Sequence, residues 1–256
     1  MANTVFNNKV IEAKAKELLT TNVNTRSLMT VDNSLTETAG MTKTINTYTY
    51  TGTAEEVAEG MGNTSRGSIG YVGNDYTVKM VQQAFDYTDE DFLKDNLIVD
   101  MGIKGATEVM TNKLASDFIV ECGKATLEVT NNIGYEAIVD AISEINVEDE
   151  SKLFVLIPND WKADLRKDED YKTARMGEVI YNGQVGTVAG IPVIATKALT
   201  DMAYVMSAEA VKLFMKKDVE VEQERDADKR KNSIYLRTAY ICALVDATKI
   251  CRIAAA

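Results

Sequence analysis

A chain of 256 residues with 45% hydrophobic and 26% charged side chains can bury a large core and is not an intrinsically disordered sequence. Its formal net charge of −11 excludes a surface that grips nucleic acid, because phosphate binding draws its affinity from clustered Lys and Arg. The complete absence of His removes the commonest general base and metal ligand and argues against an enzyme, while no run approaches the roughly 20 apolar residues of a membrane-spanning helix.

Residues 5–19 predict a short docking helix, with Phe6, Val10, Ile11, Leu18 and Leu19 set among Lys9, Glu12, Lys14, Lys16 and Glu17. This N-terminus lacks the charged-then-apolar layout of a secretory signal, so the cysteines are expected in a reducing cytoplasm. Cys122, Cys242 and Cys251 all fall in apolar runs. Their spacing fits no metal knuckle, and they read as buried free thiols. A Thr- and Asn-rich run to about Thr38 reads as an extended arm.

From residue 41 to 51 the pattern becomes an alternation rich in Thr and Tyr, and a second strand-like run covers residues 75–85. The two are expected to pair as a hairpin. Between them residues 52–74 hold six of the chain's 15 glycines, which predicts an irregular loop of a length that is usually functional. Gly62 to Gly67 has phosphate-loop spacing, but Ser68 stands where the Lys belongs and no helix follows, so no nucleotide site is read there. A loop with so few apolar side chains gains order against another molecule rather than within its own subunit. Val57 and Met61 are its expected apolar anchors and Arg66 its charged one.

Thr88 followed by Asp91 forms a capping box in its Asp variant, and Asp89, Glu90 and Asp91 load the first turn with negative charge. One long helix is predicted over residues 88–122. One apolar row runs through Leu93, Leu97, Met101 and Val109, its neighbour through Met110, Leu114, Phe118 and Cys122. Gly102 and Gly105 predict a kink or a close approach. Asp89, Glu90, Asp91 and Asp95 are the best cluster an enzyme could use, and helix capping explains them.

Beyond the helix, residues 126–130 read as a strand, 135–145 as an amphipathic helix and 153–157 as a buried central strand closed by Pro158. Asn159 is expected to cap a short helix that carries Trp161, and residues 168–177 read as an exposed loop. A strand pair around Gly190, a strand at 203–207 and a short helix at 208–215 follow. The tail reads as strands at 219–225, 233–245 and 248–253, joined by a charged turn at 226–231. The middle one is apolar on both faces apart from Arg237, so Ile241 and Leu244 are expected against the long helix. No repeat or linker divides the chain.

This order of parts resembles the major capsid protein of tailed bacteriophages, the Hong Kong ninety-seven type fold shared with encapsulin shells. The stretches that carry the resemblance are VAEG at 57–60, AFDYTDEDF at 84–92, GTVAGIPVIAT at 186–196, and the pairing of VEVEQERDADKR with ALVDATKICRI. It implies an α+β fold. Residues 1–40 would form an N-terminal helix and arm, 41–87 an extended β-hairpin loop, 88–125 the spine helix of a peripheral domain, 126–206 a mixed α/β axial domain, and 207–256 terminal strands returning to the peripheral domain.

The function implied is self-assembly into hexamers and pentamers of an icosahedral head enclosing double-stranded DNA, with a separate scaffolding protein and a portal as partners. The packaged DNA would be contacted only indirectly. No membrane, metal, cofactor or catalytic residue is implied; the place would be the virion, assembled in the host cytoplasm. Some members join a loop Lys to a neighbour's Asn, whereas here residues 52–74 hold Arg66 and no Lys. Some begin with a long scaffolding region, whereas Met1 stands a few residues before the first predicted helix. The alternative is an encapsulin shell around a cargo enzyme, whose N-terminal helix resembles residues 5–19.

Overall fold

The computed structural model describes residues 26–37, 39–169 and 186–254, together with Ile11, Ala13 and Ala15. The helix expected over 5–19 and the loop over 168–177 thus lie mostly outside the described residues. Ile11 and Ala15 are helical and buried in the main core.

Two sheets and a free ribbon carry the chain. The first sheet has the order β1 (Thr30–Asp32), β10 (Val211–Asp226), β11 (Lys231–Leu244) and β4 (Lys79–Thr88), antiparallel except for β1 beside β10. The second runs β5 (Leu127–Thr130), β12 (Ile250–Ala254), β9 (Met202–Ser207), β6 (Leu153–Pro158), β8 (Ile191–Thr196) and β7 (Thr187–Val188). The ribbon is β2 (Thr42–Thr51) paired with β3 (Ser68–Thr77). β6 is buried at every position, as its unbroken apolar run requires of a central strand. β7 turns into β8 through Ala189 and Gly190, both at positive φ (50° and 83°), as a two-residue type I′ hairpin demands.

The capping box forms as expected. Thr88 Oγ1 accepts from the Asp91 N–H at 3.1 Å, and the Asp91 carboxylate accepts from the Thr88 N–H. The helix it opens, α1 (Asp89–Lys94), is short, and a second, α2 (Ile98–Cys122), follows it. The break falls at Asp95, in an extended conformation with its Oδ1 accepting from the Leu97 N–H at 2.9 Å. No break falls at the glycines. A Cβ on Gly102 would sit 2.3 Å from the Phe85 ring, whereas Gly105 has nothing within 4 Å, so the close approach is by a side chain and at one glycine only.

Of the two apolar rows read on the helix, the second is buried: Met110, Leu114, Phe118 and Cys122 lie in the main core. The first faces solvent, with Leu93 84% exposed and Leu97, Met101 and Val109 all exposed. Helix α2 rests on the sheet through the face of Val99, Ile103, Met110 and Phe118, while Phe92 of α1 packs against the same core. Asp117, buried on α2, ties this face to both neighbouring strands: it accepts from Lys113 at 2.9 Å, from Lys79 of β4 at 3.3 Å and from the Tyr240 hydroxyl of β11 at 3.0 Å. Burial pushes its pKa up, but the hydrogen bonds from Lys113 and Tyr240 and the charge of Lys79 outweigh that and hold it below its ordinary value.

Strand β11 is apolar on both faces because both are covered. Ile234, Leu236, Tyr240 and Cys242 enter the main core beneath α2, while Ala239, Ile241 and Ala243 enter a smaller one with Leu35, Ile45, Val78 and Phe214. Ile241 therefore lies on the side away from the long helix, and Leu244 is only partly buried at the edge of the main core.

Three further expectations are corrected. Residues 208–215 form no helix: from Val211 they are the opening residues of the 16-residue β10, paired Val211 to Leu244 through Met215 to Tyr240. Residues 248–253 do not extend the sheet of the other tail strands; β12 inserts between β5 and β9 of the six-stranded sheet, with Ile250 in the main core that α2 shares. Asn159 caps nothing, since the short helix α4 (Lys162–Lys167) has Trp161 at its N-cap without a side-chain bond. The helix α3 (Tyr135–Ile145) covers the six-stranded sheet with Ala137, Ile138, Ala141, Ile142 and Ile145. All three cysteines are free and buried.

Candidate assembly surface

The ribbon begins where the small core ends. Ile45 and Val78 are buried in that core, Tyr76 packs against it, and the Val78 N–H donates to the Met41 carbonyl at 2.7 Å. Its register differs from the expected one: Thr51 faces Ser68 and Thr42 faces Thr77, so residues 68–74 are strand, and residues 79–85 belong to β4. The irregular tip shrinks to residues 52–67.

Opposite residues of an antiparallel pair share a face. Tyr48 therefore stands beside Tyr71, with ring centroids 6.4 Å apart, and Tyr50 beside Ile69. All four are exposed, Tyr71 at 71% and Ile69 at 69%, and Val72 is exposed on the other face. This is far more apolar surface than an isolated two-stranded ribbon can carry stably in water. The signal was present in the sequence as the alternation TYTY and the IGY triplet, but reading 68–74 as loop hid it.

The tip has order of its own. Glu55 binds across it, its carboxylate accepting from the Thr64 hydroxyl at 2.5 Å and from the Thr64 and Ser65 N–H groups. Those bonds, the hydroxyl's foremost, hold the Glu55 carboxyl below its usual range. Met61 N–H closes a turn onto the Ala58 carbonyl at 3.0 Å with Gly60 at φ 80°, a conformation glycine adopts without steric cost. At the neck the Tyr50 hydroxyl stands 2.1 Å from where a Gly67 Cβ would be. Val57, Met61 and Arg66 all lie on this tip and face solvent, Met61 at 72% and Val57 at 42%. Arg66 makes no ion pair among the described residues.

The carboxylates that an enzyme might have used are each engaged structurally. Asp89 receives Arg225 and Asn232, each at 2.9 Å; Glu90 pairs with Arg230 at 2.7 Å; Asp91 completes the capping box; Asp95 holds the break. The Thr88 hydroxyl, first among its causes, holds the Asp91 carboxyl below its ordinary value. Among the described residues no group of three or more Cys, Asp or Glu is placed to hold a metal, and no helix is long and apolar enough to cross a membrane.

No family model matches the chain. Across 239 residues it is 25% identical to the major capsid protein of Staphylococcus phage phiMR11, covering 89% of this chain and 85% of that one. The solved capsid of Cyanophage P-SCSP1u superposes with a TM-score of 0.71 at 12% identity, over 90% of this chain and 86% of that one. A structure from Gordonia phage Cozz gives 0.70 at 10% identity, over 90% and 85%. A virus-like particle from Pyrococcus furiosus gives 0.65 at 10% identity, over 96% and 98%. The chain thus has the capsid fold of the Hong Kong ninety-seven type, common to phage heads and to that virus-like particle.

Proposed function

We propose that this chain is a structural major capsid protein, many copies of which assemble into hexamers and pentamers of an icosahedral phage head around double-stranded DNA. The observation that carries the reading is the ribbon: a capsid-fold subunit projects Tyr48, Tyr50, Ile69 and Tyr71 beyond its own core, where only another molecule can cover them. In a ring each ribbon would lie on the next copy, a head-to-tail contact that closes by rotation. Val57, Met61 and Arg66 would then be secondary contacts at its tip. The domain division follows the same reading, with the four-stranded sheet and α2 as the peripheral part and the six-stranded sheet as the axial part, β12 linking the two.

The net charge of −11 supports a container that packages DNA without gripping it. A separate scaffolding protein and a portal complete the proposed partners, with assembly in the host cytoplasm and no catalytic role. Negative-stain microscopy of the purified protein tests the reading, with closed particles expected and small oligomers at every concentration counting against it. The match over 96% of this chain to the Pyrococcus furiosus particle favours, as second reading, an encapsulin-type shell around a cargo enzyme. Particles that co-purify with a stoichiometric enzyme rather than pairing with portal and packaging proteins would select it.

A further inference from the structure

The two strands of the ribbon are anchored to different elements. On β3, Tyr76 packs against the small core and its hydroxyl donates to the Leu244 carbonyl of β11 at 3.3 Å, with the Lys124 ammonium 5.4 Å from its ring centroid. On β2 the anchor is Lys43, half-buried, whose ammonium lies 4.1 Å from the centroid of the Phe214 ring of β10. A cation over an aromatic face is attracted by the ring's quadrupole. The same ammonium reaches the N-terminal arm, donating to Ser34 Oγ at 2.8 Å and standing 3.9 Å from the Asp32 carboxylate. Leu35, next along the arm, is buried in the small core together with Ile45, Val78 and Phe214.

The arm itself is lightly held. β1 is a three-residue strand at the sheet edge, secured by the Thr30 N–H and hydroxyl on the Ala208 carbonyl at 3.1 and 3.0 Å, and the Lys216 ammonium donates to the Leu35 carbonyl at 3.1 Å. Short edge segments with few buried contacts open at the low end of a protein's local stabilities. A ribbon of two ten-residue strands thus rests one side of its root on the shortest strand of its sheet. A cleft lined by Thr47, Asn74, Lys124, Leu244 and Val245 opens between ribbon and body beside Tyr76 and leaves room for the ribbon to turn. We propose that residues 32–36 of the arm are a wedge that sets the direction of the ribbon. Seated, they hold β2 through Lys43 and fill the small core with Leu35; withdrawn, they leave the ribbon to pivot about Tyr76. The device is built into one subunit and stands or falls independently of particle formation.

Distance measurement by electron paramagnetic resonance on the full-length, unassembled subunit tests the wedge. One spin label is placed at the ribbon tip through Asn63→Cys and one on α2 through Glu108→Cys, both exposed positions, while the three native cysteines are buried. The parent is expected to give one narrow distance distribution. Lys43→Gln, and separately Asp32→Asn with Ser34→Ala on the arm, are each expected to broaden it at least about twofold while leaving the circular dichroism unchanged. Lys43→Arg, which keeps the charge and the donors, is expected to keep it narrow. Narrow distributions in both broadening variants overturn the wedge, and so does a distribution already broad in the parent, because the arm then holds nothing. Broadening by Lys43→Gln without broadening by the arm variant overturns the role of the arm and leaves the Phe214 ring as the anchor of β2.

Discussion

Gly102 and Gly105 lie one turn apart on the same helix, yet their substitution should have opposite signs. A methyl on Gly102 would meet the Phe85 ring at 2.3 Å, and overpacking of this kind typically costs about 1–3 kcal/mol. At Gly105 nothing stands within 4 Å, so Ala would recover up to about 1 kcal/mol of helix propensity. Urea denaturation of the unassembled subunit is expected to show Gly102→Ala less stable and Gly105→Ala more stable than the parent. At Asp117 the partners Lys113 and Lys79 keep roughly half their side-chain exposure, so Asp117→Asn strands no buried cation and should cost only about 1–3 kcal/mol at pH 7. Because the folded-state pKa lies below the ordinary 3.8, that contribution is present at neutral pH and disappears as pH falls through and beneath that value. The gap between wild type and Asp117→Asn should therefore be full at pH 7 and narrow progressively as pH falls below 3.8, and a gap independent of pH would refute the role of the charge.

At the scale of elements the ribbon separates folding from assembly. Its base is held by Ile45 and Val78 in the small core, while the Tyr48 and Tyr71 rings beyond touch chiefly each other. Replacing both with Ser is expected to leave the subunit's circular dichroism and melting temperature nearly unchanged and to abolish closed particles in analytical ultracentrifugation. Full-sized shells from the double variant would show that the aromatic face is not a contact. Local chemistry was readable here and long-range pairing was not. Thr88 with Asp91 announced a helix start, and LFVLI announced a strand buried on both sides, because a few adjacent residues settle such features. Residues 208–215 misled because Ala, Lys, Leu and Met favour helix intrinsically; what overrides them is pairing with residues 240–244, about thirty positions further on, which no local window contains. The glycines of residues 68–74 misled in the same way, since only the register against β2 makes them strand. Val57, Met61 and Arg66 stand on an exposed tip, but the larger apolar surface lies on the strands beneath them.

At the scale of the molecule, neither the tip of the ribbon nor the cysteines offer a group for covalent joining of subunits. Residues 52–74 contain no Lys, and Cys122, Cys242 and Cys251 are buried, with burial the first cause pushing each thiol's pKa up, to about 12 for Cys242 and about 11 for Cys251. Particles boiled in SDS without reductant should run as monomer, and a ladder of multimers would contradict this. The place of β12 bears on timing. The segment nearest the end of the chain, Ile250–Ala254, sits inside the six-stranded sheet between β5 and β9, and β4 waits for residues 231–240 before it has a partner. Neither sheet can close before these late strands have been made, so a partly synthesised subunit cannot present a finished surface to its neighbours. Such order would keep incomplete chains from nucleating shells. A chain ending at residue 245 should accordingly be insoluble or unfolded by circular dichroism, whereas a soluble, cooperatively melting product would show that the subunit can fold before its last strand arrives.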